Sequence, residues 1–272
     1  MDFRIIVIAS SKGGVGKSTV ALGVSQKLVS LGANVLLCDL DFGNACLDIL
    51  LGVEDSIVYT VADGARELCA FEDCVVEVPN VRGLRLMPCP AGGTVTVGDG
   101  EGEISPEAIK KTVRSAAEFY ECDYVVIDTG AGVNPATKAA AELADTVLVV
   151  SGHNPISLRA AEGTVARLSE SGCDDIRLVV NSFEAESVLR RVNNRRGLLD
   201  IIDSSRAPLA GVVPYDYDLM LRHEGLSGNK KTAKKSHSER AFNNIALRLT
   251  GEEAHLFEGM KEIRKKRKKL YR

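Results

Sequence analysis

The 272-residue sequence has no apolar run near the roughly 20 residues that a membrane-spanning helix needs. Its first residues, Met1-Asp2-Phe3-Arg4, lack the charged start, apolar centre and cleavage site of a secretory signal. The sequence also lacks internal repeats and long disordered linkers. We therefore expect one cytoplasmic domain over residues 1–250, followed by a short C-terminal tail over residues 251–272.

The cysteines form no Cys-x-x-Cys pair. They number seven and are scattered through apolar segments, at positions 38, 46, 69, 74, 89, 122 and 173. Structural metal sites and disulfide frameworks use closer, paired spacing, so the pattern favours buried free thiols in a reducing compartment.

The net charge is only −3, but it is unevenly distributed. Residues 229–272 contain 14 Lys and Arg against 5 Asp and Glu, a balance of +9. The remaining residues contain 20 against 32, a balance of −12. An acidic body with a basic end indicates an anionic partner for that end, and a merely solvated end is the alternative.

Short β-branched apolar runs alternate along the chain with segments of helical periodicity. Apolar runs without polar alternation are typical of strands buried on both faces. The pattern predicts strands at residues 4–9, 35–38, 75–78, 84–87, 124–127, 146–150, 177–180 and 210–213, and helices at residues 17–31, 106–120, 134–143 and 155–170. This alternation indicates an α/β fold, a mostly parallel twisted sheet of about seven or eight strands with helices on both faces.

Local signals mark the ends of two predicted helices. Gly32 suits the end of the first, and Pro106 suits the first turn of the second, with Ser105 as its N-cap. The glycine-rich, acidic segment at residues 91–105 is expected to be a mobile surface loop.

Residues 12–19 read Lys-Gly-Gly-Val-Gly-Lys-Ser-Thr and lie between the first predicted strand and the first predicted helix. In a phosphate loop, glycines let backbone N–H groups wrap the phosphates, a lysine balances their charge, and a hydroxyl reaches Mg²⁺. The residues that meet these needs are Gly13, Gly14, Gly16, Lys17 and Ser18. Ser11 stands where the general pattern has glycine. The segment predicts a P-loop that binds a nucleoside triphosphate with Mg²⁺.

Polar residues follow several of the predicted strands, and they include Asp39, Asp41, Asp128 and Asn181. Ligands of parallel sheets bind beyond the carboxyl ends of the strands. We therefore expect these side chains to meet the phosphate loop at one site.

Residues 11–19 resemble the deviant Walker A motif of the MinD/ParA family of P-loop ATPases, which tolerates a residue other than glycine before its first lysine. The resemblance implies that ATP is bound by Ser11, Lys12, Gly13, Gly14, Val15, Gly16, Lys17, Ser18 and Thr19. It also implies a homodimer in the ATP state, in which Lys12 contacts the phosphates of the partner's ATP. Lys12 and Lys17 are then both catalytic.

Two further stretches extend the resemblance. Residues 36–48 look like the family's switch I segment, where the second aspartate of Asp-x-Asp, Asp41 here, positions the attacking water and supports Mg²⁺. Residues 124–132 resemble the Walker B and switch II region, so that Asp128 holds Mg²⁺ together with Ser18.

Other positions refine this comparison. Asp39 is expected to hold its loop in place, and Cys46 stands where division proteins of the family usually have asparagine. Asn181 matches the asparagine that reads adenine in the family, and Pro214 lies where members pass backbone along the base.

The basic end contains six consecutive cations at residues 264–269, and apolar residues 256, 260, 263 and 270 share one stripe of a helix predicted from about residue 252. A basic amphipathic helix favours an anionic membrane surface. Family resemblance implies that residues 252–272 bind the inner face of the cell membrane, more tightly when dimerisation joins two tails. Nucleic acid, an acidic partner protein and a passive solvated end are the alternatives.

The resemblance implies a slow ATPase that an unidentified protein stimulates and that regulates placement of the division septum. A flagellar-number relative is a rival within the family. A ParA-like partition ATPase would use basic patches on its body, which is acidic here, so no specific nucleic acid is expected. An Mrp-like iron–sulfur carrier would need a cysteine pair. A non-hydrolysing scaffold is disfavoured by the presence of Lys17, Asp41 and Asp128 together.

Overall fold

The computed structural model describes residues 3–92, 95–170, 172–184, 206–223 and 236–258. Its strands are β1 Arg4–Ser10, β2 Val35–Leu40, β3 Val76–Glu77, β4 Leu84–Met87, β5 Tyr124–Ala131, β6 Thr146–Ser151, β7 Ile176–Phe183 and β8 Leu209–Pro214. Its α-helices are α1 Lys17–Ser30, α2 Leu47–Leu51, α3 Val61–Ala65, α4 Pro106–Phe119, α5 Pro135–Leu143, α6 Pro155–Glu170, α7 Tyr217–His223 and α8 His237–Leu249. None of the helices in these ranges has the length and apolar content to cross a membrane.

The described strands form one sheet in the order β3-β4-β2-β5-β1-β6-β7-β8. All neighbouring pairs are parallel except β3 with β4. The strand that leads into the phosphate loop, β1, lies between β5 and β6. Since parallel neighbours end at the same edge of the sheet, the loop emerges beside the ends of β2 and β5. The predicted α/β fold is confirmed.

Two apolar cores cover the two faces of the sheet. Along β1, Ile5 and Val7 face the core formed with α4, α5 and α6, whereas Ile6 and Ile8 face the core formed with α1 and α8. This division follows from the two-residue period of a strand, which sends successive side chains to opposite faces. The prediction of helices on both faces is therefore confirmed.

Three strands extend two or more residues past the end that the apolar pattern predicts. β2, β5 and β7 each continue past their last apolar run, so Asp39, Asp128 and Asn181 lie within strands rather than after them. The prediction failed there because polar residues end an apolar run, whereas backbone pairing continues wherever the buried polar side chains find partners.

Two local predictions around α4 need correction. Ser105 occupies the N-cap position, but its side chain makes no capping hydrogen bond. The segment at 91–105 is not wholly a surface loop, because Ile104 is buried in the core and forms a bridge with Val97. Apolar residues within the acidic stretch attach it to the body.

The helix predicted from about residue 252 is wrong for residues 252–258, which are not helical. Side chains of α8 bind their carbonyl groups instead: Arg248 donates to Ala254 O at 2.7 Å, and Asn244 donates to His255 O at 3.3 Å. Phe257 packs against both cores. The rest of the predicted helix, residues 259–272, lies outside the described residues.

All seven cysteines lie within the described residues and are free thiols. Five are buried, namely Cys38, Cys74, Cys89, Cys122 and Cys173. The expectation of free thiols is confirmed, and Cys46 and Cys69 are the partly exposed exceptions.

Candidate nucleotide site

The phosphate loop connects β1 to α1, and glycine determines its path. Gly14 and Gly16 have φ values of +73° and +88°, a backbone region that residues with a Cβ rarely adopt. A Cβ on Gly16 would also lie 2.2 Å from Nδ2 of Asn181. Gly16 therefore has both a conformational and a steric reason to be glycine.

The helix that follows the loop presents its N-terminus to the site. α1 begins at Lys17, and its N-cap residue, Gly16, has no side chain with which to satisfy the first N–H groups. No acidic residue occurs in its first turn. Unpaired N–H groups and the positive end of the helix dipole form an anion-binding position. The Lys17 side chain, only 7% exposed, adds a full positive charge there.

The start of the loop is attached to α6. Thr164 donates to Ala160 O within α6, so its hydroxyl accepts from Ser11 Oγ at 2.5 Å, and Arg167 donates to Ser11 Oγ at 2.6 Å. Lys12 Nζ donates to Ser157 Oγ at 3.2 Å. The sequence did not predict these contacts with α6. The one feature that could have indicated them is the serine at position 11, where the general pattern has glycine.

Asp39 is a buried carboxylate that organises the loop after β2. Its oxygens accept backbone N–H groups from Asp41 at 2.9 Å, Cys46 at 3.2 Å and Leu47 at 3.3 Å. Burial raises the pKa of Asp39 to about 6 even though these hydrogen bonds favour the charged form. The expectation that Asp39 holds its loop is confirmed.

Asp128 lies opposite Asp39 in the register of β2 and β5 and is 1% exposed. Burial first and the nearby charge of Asp39 second raise the pKa of Asp128 to about 8. A hydrogen bond from Ser18 and the charge of Lys17 oppose this shift. The Oδ1 atom of Asp128 is buried and has no hydrogen-bond partner. A buried carboxylate oxygen in this state is a position that a cation would occupy.

Asp41 lies between the loops that follow β2 and β5. Its Oδ1 accepts N–H groups from Gly43 at 3.3 Å and Asn44 at 3.1 Å. The same oxygen would be 3.1 Å from a Cβ built on Gly130. The structure thus brings Asp41 close to the segment after Asp128, as the sequence predicts.

The donor set at this site fits Mg²⁺. Mg²⁺ usually takes one or two carboxylates from the protein and completes its shell with phosphate and water. Ser18 and Asp128 are hydrogen-bonded, and Asp41 contributes to the negative potential at Asp128. Across the described ranges, no three His, Cys, Asp or Glu side chains form a metal-binding group, so phosphate and water would supply the remaining ligands.

Cys46 contributes a thiol to the same site. It is half-buried, and its side chain hydrogen-bonds with Ser18. Burial raises the pKa of the Cys46 thiol, and the charges of Asp39, Asp128 and Asp41 add to the shift. The position that departs from the division proteins therefore lies directly beside the candidate metal ligand Ser18.

Asn181, which the sequence places at the adenine, also contacts the phosphate loop directly. It is 5% exposed, and its Nδ2 donates to Val15 O at 2.8 Å. Pro214 ends β8 and pairs with Phe183 of β7, two residues beyond Asn181. The two residues predicted at the base thus occupy the ends of adjacent strands.

A sequence profile described as an AAA domain matches residues 3–171. The septum site-determining protein MinD of Synechocystis sp. is 31% identical, with 92% of this chain and 90% of that protein aligned. The MinD protein of Bacillus subtilis is 30% identical over the same shares.

Solved structures show the same fold. The MinC:MinD cell division complex of Aquifex aeolicus matches with a TM-score of 0.81 at 29% identity, covering 93% of this chain and 98% of that chain. The MinD protein of Pyrococcus horikoshii, solved with Mg-ADP, matches with a TM-score of 0.73 at 23% identity, covering 91% and 96%. Since the profile covers more than half of the chain and MinD relatives align over 92% of it, the chain belongs to the MinD/ParA family of P-loop ATPases.

Proposed function

We propose that this chain is an ATP-hydrolysing switch of the MinD type that regulates placement of the division septum. The observation that carries the proposal is the convergence of the phosphate loop with the buried Asp128 and with Asp41 at one edge of the sheet. MinD relatives at 30–31% identity and a relative solved with Mg-ADP support it.

The proposed ATP site is the segment 11–19 within an ATPase domain of residues 1–250. Backbone N–H groups of the loop and of α1 bind the phosphates, and Lys17 balances the charge of the β- and γ-phosphates. Ser18 and Asp128 hold Mg²⁺, and Asp41 supports it through water. When bound, the ion neutralises charge that develops on the phosphates during transfer. The unpaired Oδ1 of Asp128 supports this assignment.

Two residues are proposed to act on the chemical step. Asp41 orients the attacking water, since its carboxylate is already fixed by two backbone N–H groups. Lys12 supplies positive charge to the ATP of a second copy of the chain. In the single chain its ammonium group is bound to Ser157, so this lysine must change partner in the dimer. We therefore expect slow hydrolysis by an isolated monomer.

The adenine is proposed to bind at Asn181 and Pro214. An asparagine side chain carries two N–H donors and an acceptor oxygen, and the contact with Val15 uses one donor. A donor and the oxygen are thus left to pair with the N7 and N6 positions of adenine. The backbone at Pro214 is proposed to follow the base.

Partners of the switch are a second copy, a membrane and an effector protein. A relative from Aquifex aeolicus was solved as a MinC:MinD complex, which supports an effector partner. We propose in addition that such a partner stimulates hydrolysis. The basic residues 264–269 are proposed to bind the anionic inner face of the cell membrane. A flagellar-number role is the second candidate, favoured by the Asp-Thr-Gly-Ala-Gly sequence at residues 128–132.

A mixing experiment tests the proposal. Asp41→Ala and Lys12→Ala are each expected to bind ATP and to lose hydrolysis, whereas Asp55→Ala, an exposed aspartate outside the site, is expected to hydrolyse ATP normally. Mixing the two inactive variants recovers activity, because a mixed dimer has one site with Asp41 and a Lys12 from its partner. If the mixture stays inactive while mixed dimers form, Lys12 does not act across the interface. If wild type neither binds nor hydrolyses ATP, the proposed function is wrong.

A further inference from the structure

Two thiols meet in the segment between α3 and β3. Cys69 follows α3, and Cys74 is the last residue of a 3₁₀ turn, Phe71–Cys74. Their Sγ atoms are 3.3 Å apart, closer than the van der Waals contact of two sulfur atoms. Gly64 and Asp63 also act on Cys74, and neither belongs to the nucleotide site.

The backbone holds this pair together locally. Ala70 is extended, with φ −71° and ψ 152°, and the 3₁₀ turn then reverses the chain towards Cys69. Cys74 Sγ also donates to Ala70 O at 3.6 Å. Space for the sulfur comes from Gly64, because a Cβ there would be 2.7 Å from Cys74 Sγ. A glycine inside a helix is unfavourable, so its presence here fits the need for that space.

The two thiols differ in access to solvent. Cys69 is partly exposed, whereas Cys74 is completely buried. Burial first and Cys69 second raise the pKa of Cys74 to about 12. A reagent in solution therefore meets Cys69, and Cys74 reacts with whatever forms on its neighbour.

We propose that Cys69 and Cys74 form a redox-active dithiol that a small-molecule disulfide, such as glutathione disulfide, oxidises to an intramolecular disulfide. The Cys69 thiolate attacks one sulfur of glutathione disulfide and expels a glutathione thiolate, leaving a mixed disulfide. Cys74 then loses its proton, attacks the Cys69 sulfur and expels the second glutathione thiolate. The protein dithiol loses two electrons and two protons, and glutathione disulfide is reduced to two glutathione molecules.

The product closes a ring of six residues, from Cys69 to Cys74, that the native chain already brings into contact. Bond formation shortens the separation of the two sulfur atoms from 3.3 Å to about 2.05 Å. Oxidation is therefore expected to leave the nucleotide site unchanged.

The test uses the full-length native protein equilibrated with reduced and oxidised glutathione in a series of ratios. Remaining thiols are alkylated, the intact mass is measured, and peptides are mapped. Wild type is expected to lose two thiols and therefore to carry two fewer alkyl groups than the reduced protein, to give a linked Cys69–Cys74 peptide, and to recover both thiols in excess reduced glutathione. ATP binding, measured in parallel, is expected to be equal in the two forms.

Variants separate the two roles. Cys74→Ser is expected to retain glutathione on Cys69, Cys69→Ser to stay unmodified at Cys74, and Cys173→Ser to behave as wild type. If wild type keeps both thiols at every ratio, or stops at a glutathione adduct on Cys69, the proposal is wrong. These wild-type results decide the matter even if a variant fails to fold.

Discussion

Single residues in the nucleotide site show a conflict between stability and chemistry. Asp128 is buried beside Asp39, and one of its oxygens has no partner. Buried charge without a counter-ion is costly, and such groups persist where function requires them. The raised pKa of Asp128 expresses that cost.

We expect Asp128→Asn to raise the stability of the metal-free protein and to abolish Mg²⁺-dependent hydrolysis. The amide has nearly the same shape and cannot carry the charge that burial and the nearby Asp39 disfavour. We expect a gain of roughly 1–2 kcal/mol, within the range of single stabilising substitutions. Urea unfolding in a chelator and a phosphate-release assay measure the two effects. Asp55→Asn is the exposed control, and equal or lower stability of Asp128→Asn would contradict the interpretation.

Secondary-structure elements pack closely at some glycines and loosely at others. Gly23 lies in α1 against the ring of Phe242 in α8, and a Cβ there would lie 2.5 Å from a ring carbon. Gly163 lies in α6, and nothing lies within 4 Å of its built Cβ. Both glycines have helical backbone, but only Gly163 has room for a methyl group.

The same substitution at these two glycines is expected to have opposite effects. Gly163→Ala should raise the free energy of unfolding by about 0.5–1 kcal/mol, because alanine restricts the unfolded chain and favours a helix. Gly23→Ala should lower it by about 1–3 kcal/mol, because the ring of Phe242 must move within a packed core. Chemical unfolding of both variants measures the difference. A stabilised Gly23→Ala would show that the α1–α8 contact is loose.

A charged pair at the start of β7, at the edge opposite the nucleotide site, is linked to β6 by a hydrogen bond from Thr146. Asp175 accepts from both Arg177 nitrogens at 2.8 Å and from Thr146 Oγ1 at 2.8 Å. Partial burial alone would raise the pKa of Asp175, but these hydrogen bonds and the Arg177 charge lower it overall. A lowered carboxyl pKa stabilises the fold above the unfolded value of 3.8, and the contribution is lost as pH falls through the folded value.

Asp175→Asn is therefore expected to reduce stability at pH 7 by less than about 1 kcal/mol, since the pair is partly exposed. The difference from wild type should shrink as the pH falls below about 4. Unfolding curves at neutral and acidic pH give both values. A difference that is the same at both pH values would exclude the charge as its cause.

The sequence predicted the elements and the site to different degrees. The order of the elements could be predicted because apolar periodicity reports which faces are buried. The phosphate loop could be predicted because phosphate binding needs particular residue types at consecutive positions, here from Lys12 to Ser18. The contacts of Ser11 with Thr164 and Arg167 could not, since only the fold brings those residues together. The contact between Cys69 and Cys74 could not be predicted either, because it depends on the 3₁₀ turn at Phe71–Cys74, which has no recognisable sequence pattern.

The whole molecule combines an acidic body with a basic end. Residues 259–272 carry 8 Lys and Arg against 1 Glu, a balance of +7. Phe257 packs against both cores, so the body includes residue 257 and a truncation that spares it is placed after residue 258. A truncation made there keeps both cores intact.

Deletion of residues 259–272 is expected to abolish ATP-dependent sedimentation with anionic vesicles and to leave ATP binding unchanged. Each cation near an anionic surface contributes roughly 1 kcal/mol, so losing them all removes the main attraction. Neutral vesicles and full-length protein without nucleotide are the controls. Undiminished sedimentation of the truncated protein would place the membrane-binding surface on the body.

One of the two edge strands, β3, is two residues long and runs antiparallel to β4. It carries the exposed Glu77, which pairs with Arg85 at 3.3 Å. Long, flat, uncharged edges recruit strands from neighbouring molecules and seed fibrils. If the chain gathers on a lipid surface as proposed, its copies meet one another there at high density. The short charged margin at β3 offers them little backbone to join, so this margin is a poor template for amyloid-like growth.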